Sequence, residues 1–91
     1  MCFVYVLRSL KNKKRYTGIT SQTVSERLLE HNNGKNVYTR LNRPYELVYF
    51  EKVEDKKAAL RREKFLKTGQ GREFLDKVVP AFPPQGVAGP P

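Results

Sequence analysis

The first residues of the chain alternate little between apolar and polar side chains. Residues 2–8 read CFVYVLR, a run of β-branched and aromatic side chains that is apolar on both faces. Such a run is typical of a strand in the interior of a sheet. A polar turn over residues 11–14 separates it from residues 15–20 (RYTGIT), so the pattern predicts a two-stranded hairpin. Tyr16 and Gly18 then lie on one face of the second strand.

The hydrophobic pattern next changes to the period of a helix. Thr23 and Glu26 have the spacing of a capping box, so they predict the start of a helix. The helix is expected to reach about Asn32, because Asn33-Gly34 favours the left-handed turn that ends many helices. Residues 35–43 then form a basic loop.

The remaining pattern predicts one more strand and two more helices. Residues 45–51 alternate as a strand, and Asp55 is the expected N-cap of a second helix that ends before Gly69. Residues 71–79 favour a short third helix. The order β-β-α-β-α-(α) predicts a small α/β (α+β) domain with a three-stranded sheet and flanking helices.

Composition divides the chain into a domain and a tail. Its 91 residues allow one small domain, assigned here to residues 1–79. Residues 80–91 read PAFPPQGVAGPP, and this uncharged, proline-rich stretch predicts a flexible tail. The 18 basic and 9 acidic side chains give a net charge of +9, all of it on the domain. Such a surplus favours a polyanionic partner over a merely solvated surface.

Three further observations bound the class of protein. No apolar run approaches the ~20 residues that a membrane-spanning helix needs, so no membrane role is expected. The N-terminus lacks the basic region and cleavage site of a signal peptide. The single cysteine, Cys2, excludes an internal disulfide and suits the cytoplasm.

Glu63 breaks the pattern of the second helix. Counting about 100° per residue from Ala59, Leu66 falls at about 340° and Glu63 at about 40°, inside the apolar stripe. A carboxylate in that position needs a partner such as a metal ion or an arginine. The alternative is a residue at the edge of the stripe, paired with Arg27 or Arg62.

Arg27 and His31 are four residues apart, so they share one face of the first helix. Arginine suits contact with a phosphate, and histidine moves protons near neutral pH, although a lone histidine is often structural. Tyr5 and Tyr16 lie on neighbouring strands, where they are either core residues or proton acceptors. With Glu63 as one carboxylate, the set suits single-metal phosphodiester hydrolysis.

The same residues stand in a known order of motifs. These are Phe3-Val4-Tyr5, Tyr16-Thr17-Gly18 with ten residues between the two tyrosines, RLLEHN over residues 27–32, Tyr38-Thr39-Arg40, and ALRREKFLK over residues 59–67. In this order the chain resembles the GIY-YIG nuclease superfamily, in particular its small single-domain bacterial members. It is also similar to the N-terminal nuclease domain of the bacterial excision-repair nuclease.

The resemblance implies a three-stranded antiparallel sheet and metal-dependent cleavage of DNA. By position, Glu63 would hold Mg²⁺ or Mn²⁺, and Arg27 would neutralise the scissile phosphate. Tyr16 or Tyr5 would accept the proton of the attacking water or position it. His31 would assist proton transfer or contact phosphate. Gly18 and Asn32 would serve the motif and its packing.

The expected partner is DNA, branched or single-stranded, with a possible role in repair or recombination. The side chains expected to contact its backbone are Lys13, Lys14, Arg15, Lys35, Tyr38, Arg40, Arg43 and Arg62. Two alternatives of other classes stay open: a non-catalytic nucleic-acid-binding module on the same fold, and an adaptor that recruits a partner through its tail. The sequence does not define the oligomeric state.

Overall fold

The apolar N-terminal strand is the middle strand of the sheet. The computed structural model describes residues 1–81, and in it the strand β1 (Cys2–Ser9) lies between β2 (Arg15–Thr20) and β3 (Tyr45–Val53). Both neighbours are antiparallel to β1. The predicted three-stranded antiparallel sheet is therefore confirmed, and its central position explains why β1 is apolar on both faces.

Each face of the sheet has its own helical cover. The helices are α1 (Val24–Asn32), α2 (Lys56–Leu66) and α3 (Gly69–Val78). On one face, buried Val4 and Val6 pack against the second and third helices. On the other face, Tyr5 and Leu7 pack with Leu28 of α1. The alternation of side chains along β1 thus divides the core into two layers.

The ends of the helices follow local hydrogen bonds. The Thr23 hydroxyl accepts from the Glu26 amide at 3.2 Å and donates to the Glu26 carboxylate at 2.9 Å, so the carboxylate binds the hydroxyl and not the Thr23 amide. Asp55 caps α2 as predicted, by accepting from the Ala58 amide at 2.8 Å. The third helix begins two residues before its predicted start, because the Thr68 hydroxyl accepts from the Gly71 amide at 3.1 Å.

Two other departures from the predicted pattern are small. The strand β3 continues to Val53, and the basic loop contains a short 3₁₀ helix over Arg40–Asn42. Pro80 and Ala81 lie in a turn after α3. Apart from these two residues, the predicted tail lies outside the described residues. Within residues 1–81 no helix is long and apolar enough to cross a membrane.

Candidate active site

Tyr5, Arg27 and His31 meet on the α1 face of the sheet. The side chain of Tyr5 is buried, with 1% of its surface exposed. Its hydroxyl oxygen accepts from Arg27 Nε at 3.1 Å and shares a hydrogen bond of 2.9 Å with His31 Nε2. Burial raises the pKa of the Tyr5 phenol to about 12, although the Arg27 guanidinium opposes that effect. Tyr5 therefore keeps its proton at neutral pH and holds both neighbours in place.

His31 is fully buried and both of its ring nitrogens are engaged. Nδ1 lies 2.7 Å from the Thr39 hydroxyl oxygen, and Nε2 faces Tyr5. Because the Tyr5 oxygen already accepts from Arg27, its own proton is available to His31 Nε2. This favours the tautomer that carries its proton on Nδ1 and donates it to Thr39. Burial, helped by the Arg27 charge, lowers the pKa of His31 to about 4. The placement favours a positioning role over contact with phosphate.

The low pKa of His31 predicts a pH dependence of stability. The unfolded chain takes up this proton near pH 6.5 and the folded chain near pH 4, so the unfolding free energy falls as the pH drops through that window. The loss at pH 4 is expected to approach about 3 kcal/mol. Urea unfolding at a series of pH values measures it.

The matched control for this prediction is His31→Gln, which keeps hydrogen-bonding groups but does not titrate. Titrating carboxyl groups change the unfolding free energy of wild type and of His31→Gln alike, so the difference between the two stability curves isolates the contribution of His31. Parallel stability curves from pH 4 to pH 7 would contradict the assignment of a buried neutral histidine.

Thr39 and Glu30 complete the cluster, although the sequence analysis gave neither a role. Thr39 is 1% exposed and connects the basic loop to His31. Glu30 accepts from Arg27 Nη1 at 2.8 Å, so the guanidinium is held at two points. The spacing of Arg27 and Glu30 on one helix face is a signal that could have found Glu30. Thr39 lies in an irregular loop, where hydrophobic periodicity gives no signal.

Gly18, on β2, leaves room for the side chains of Tyr5 and Tyr16. A Cβ atom at this position would stand 2.6 Å from the Tyr5 hydroxyl oxygen and 3.1 Å from Tyr16 Cε2. The Tyr16 ring lies 6.5 Å from the Tyr5 ring and 5.1 Å from the His31 ring, centroid to centroid. The absence of a side chain at Gly18 thus leaves the space that the Tyr5 hydroxyl and the Tyr16 ring occupy.

Asn32 joins the end of α1 to the start of β3. Its side-chain amide donates to the Tyr45 carbonyl at 2.9 Å, and its side-chain carbonyl accepts from the Tyr45 amide at 2.6 Å. One side chain therefore satisfies both backbone groups of a single residue. The end of α1 is thereby fixed against the first residue of β3.

Glu63 lies on α2 with 22% of its side chain exposed. It forms an ion pair with Lys67 at 3.3 Å, so the alternative of a residue at the edge of the stripe holds with Lys67, and not Arg27 or Arg62, as the partner. Arg27 binds Glu30, and Arg62 donates to Glu51 at 2.9 Å. The Glu63 charge nevertheless lies close enough to Tyr5 to contribute to its raised pKa.

A divalent ion fits this donor set in one way only. Within residues 1–81 there is no group of three or more His, Cys, Asp or Glu side chains that could hold a metal. Glu63 is a partly buried carboxylate whose partner, Lys67, is an exposed and flexible cation. A hard cation that keeps most of its water and takes one carboxylate from the protein suits such a site.

The predicted DNA-contacting residues lie in three places. Lys13, Lys14 and Arg15 line a groove that begins beside Tyr16. A second group lies in the loop between α1 and β3, where Tyr38 is 85% exposed. That group consists of Lys35, Tyr38, Arg40 and Arg43. Arg62 lies apart from both groups. It binds Glu51, and its guanidinium lies 4.9 Å from the centre of the Phe74 ring.

Comparison with known proteins agrees with this geometry. The sequence profile of the GIY-YIG catalytic domain matches residues 1–74, which include the whole sheet and every residue of the cluster. The chain therefore belongs to the GIY-YIG family, whose catalytic domain is of nuclease type and generally uses divalent metals.

Its relatives are small proteins named UPF0213. One from Staphylococcus epidermidis is 43% identical over 77 residues, which span 84% of this chain and 92% of the relative. Another from Clostridium perfringens is 43% identical over 68 residues, or 74% of this chain and 71% of the relative. A third, from Natronomonas pharaonis, is 42% identical over 67 residues, which span 72% of this chain and 76% of the relative. No solved structure matches the chain significantly.

Proposed function

We propose that this protein is a DNA endonuclease that hydrolyses phosphodiester bonds with the help of Mg²⁺ or Mn²⁺. The observation that carries the proposal is the cluster of Tyr5, Tyr16, Arg27 and His31 on a +9 chain, with the Glu63 charge close by. We expect this activity to be weakly specific, structure-directed and used in DNA repair or recombination. The basic side chains support this, because cations that contact the DNA backbone do not read its bases. The unpaired Cys2 agrees with a cytoplasmic location.

The two tyrosines have different roles in this proposal. The Tyr5 hydroxyl is buried and is committed to Arg27 and His31, so it positions the arginine. The Tyr16 ring is half-buried, and its hydroxyl makes no hydrogen bond within residues 1–81. Tyr16 is therefore the tyrosine that can hold the attacking water or accept its proton.

The charged residues act on the phosphate. Arg27 keeps its orientation through Tyr5 and Glu30, so its remaining donors can stabilise negative charge that develops on the scissile phosphate. His31 holds the Tyr5 hydroxyl by a hydrogen bond, and Thr39 holds His31 in turn. Glu63 would hold the divalent ion, which would supply positive charge to offset the negative charge that develops during cleavage. The water oxygen bonds to phosphorus as the P–O3′ bond breaks. One water proton passes to the Tyr16 oxygen, which releases its own proton to solvent, and the departing 3′ oxygen takes a proton from solvent.

The proposal predicts metal-dependent cleavage that requires Glu63. Purified protein is incubated with labelled single-stranded, duplex and branched DNA in Mg²⁺, in Mn²⁺ or in EDTA. We expect cleavage of at least one branched or single-stranded substrate with either metal, and none in EDTA. The matched control is Glu63→Ala, whose folding is checked by its melting temperature.

Two outcomes would contradict parts of the proposal. Cleavage no greater than that of Glu63→Ala on every substrate would leave a non-catalytic nucleic-acid-binding module on the same fold. Cleavage that persists in EDTA would remove the divalent ion from the proposal while keeping the hydrolytic activity.

A further inference from the structure

A basic groove lies between the turn of the β1–β2 hairpin and the junction of α2 and α3. We call it the hairpin groove, and its volume is about 950 Å³. Tyr16 is among its lining residues, so the groove reaches the edge strand β2 that carries this residue of the candidate site, although the cluster around Tyr5 lies on the opposite face of the sheet. The cations that line it include Lys13, Lys14 and Arg15 from the hairpin, and Lys67 and Arg72 from the helices. Within residues 1–81, no carboxylate is among its lining residues.

Six cations line the groove, and within residues 1–81 half of them lack an acidic partner; Arg8, the sixth, pairs with Glu46. Within the described chain, Lys13, Lys14 and Arg72 form no ion pair. Arg15 pairs at 2.8 Å with Asp76, an exposed residue of α3. Lys67 pairs with Glu63, so the groove begins beside the carboxylate proposed to bind metal. Unpaired cations gathered in one depression attract a polyanion more strongly than the same charges spread over the surface.

The hairpin turn holds its lysines in a fixed arrangement. The buried Ser9 hydroxyl accepts from the amides of Lys11 and Asn12 at 3.0 and 3.2 Å, and donates to the Asn42 carbonyl at 2.6 Å. Lys13 has a φ of 65°, in the left-handed region that is unfavourable for residues other than glycine. Glycine would adopt this conformation without strain, so the chain carries a positive charge here at a backbone cost.

We propose that the hairpin groove binds the sugar–phosphate backbone of a single DNA strand and leads it past Tyr16. The proposal rests on the proposed nuclease function and adds Arg72 and Lys67 to the contacts expected from the sequence. Cations line the groove from two sides, Lys14 from the hairpin and Arg72 from α3, which suits a single backbone lying between them. Leu66 and Leu75 close the groove from below but are 1% and 2% exposed, so the contacts that it offers to a strand are those of its cations.

The test measures binding without cleavage. Fluorescence anisotropy of a labelled single-stranded DNA oligonucleotide is recorded in EDTA at several salt concentrations, with a duplex of the same sequence alongside. For Lys14→Gln/Arg72→Gln, the slope of log affinity against log salt is expected to fall by about 1.4, or about 0.7 per lost phosphate contact on a single strand. The control is Lys52→Gln/Lys57→Gln, which loses equal charge at exposed residues that do not line the groove.

A second variant separates binding from folding. Glycine adopts the backbone conformation of Lys13 without strain, so Lys13→Gly should not lower the melting temperature. It should nevertheless reduce the salt slope by about 0.7. An unchanged slope in both groove variants, or tighter binding of the duplex than of the single strand, would overturn the proposal.

The results also separate the groove from the nuclease. If wild-type protein cleaves DNA while the groove variants bind like the control, the groove proposal fails and the nuclease stands. If wild-type protein binds single strands through the groove but cleaves nothing, the groove is supported and the nuclease fails.

Discussion

Tyr16→Phe is expected to lower the rate of DNA cleavage about 10²–10⁴-fold, the usual contribution of a positioned acid–base group. The free energy of unfolding should stay within about 0.5 kcal/mol of wild type, because the Tyr16 hydroxyl makes no hydrogen bond within residues 1–81. Cleavage is measured on the best substrate of the panel, under single-turnover conditions. Stability is measured by urea unfolding.

Tyr5→Phe is the matched comparison, since it removes the same atom from the neighbouring strand. Here Arg27 Nε and His31 Nε2 lose their shared partner, and stability should fall by about 1–3 kcal/mol. Any loss of cleavage then comes with a disordered arginine. If Tyr5→Phe abolished cleavage at full stability while Tyr16→Phe remained active, the roles assigned to the two tyrosines would be reversed.

Gly71→Ala is expected to destabilise the protein strongly. A Cβ atom at this position would stand 2.1 Å from the Phe65 carbonyl oxygen and 2.4 Å from Leu66 Cα, both of them backbone atoms of α2. Backbone cannot rotate away as a side chain can, so the two helices must separate. We expect a loss of about 3 kcal/mol or more, at the upper end of what overpacking costs. Thermal and urea unfolding measure it.

Gly69→Ala is the control, and it lies two residues away at the start of the same helix. Nothing lies within 4 Å of its expected Cβ atom, so alanine should change stability by less than about 1 kcal/mol and not unfavourably. Equal stability of the two variants would show that α2 and α3 do not pack as closely as described.

Gly71 also shows where the sequence stops being informative. Two glycines near the end of α2 indicate a break, and the predicted third helix accordingly began at Gly71. The structure starts that helix at Gly69, because the Thr68 hydroxyl provides a cap. That Gly71 and not Gly69 faces backbone depends on the crossing of two helices. Such a contact is tertiary, and no local pattern contains it.

The elements with strong periodicity were predicted well. The bounds of β2 are confirmed, and so is the end of α1 at Asn32, because alternation and capping residues act within a few positions. The candidate site was predicted through its motif residues, but its connections were not. The contact between His31 and Thr39 depends on the path of an irregular loop, and the partner of Glu63 is Lys67, not an arginine.

The strand order has a consequence for self-association. With β1 in the middle, β2 leaves one side of its backbone without a partner strand in residues 1–81. Open strand edges invite pairing with another chain, and natural proteins often prevent it with charged residues, lysine above all. Lys13, Lys14 and Arg15 stand at the start of this edge. The same positive charges that would draw in DNA therefore also repel a second copy of the protein.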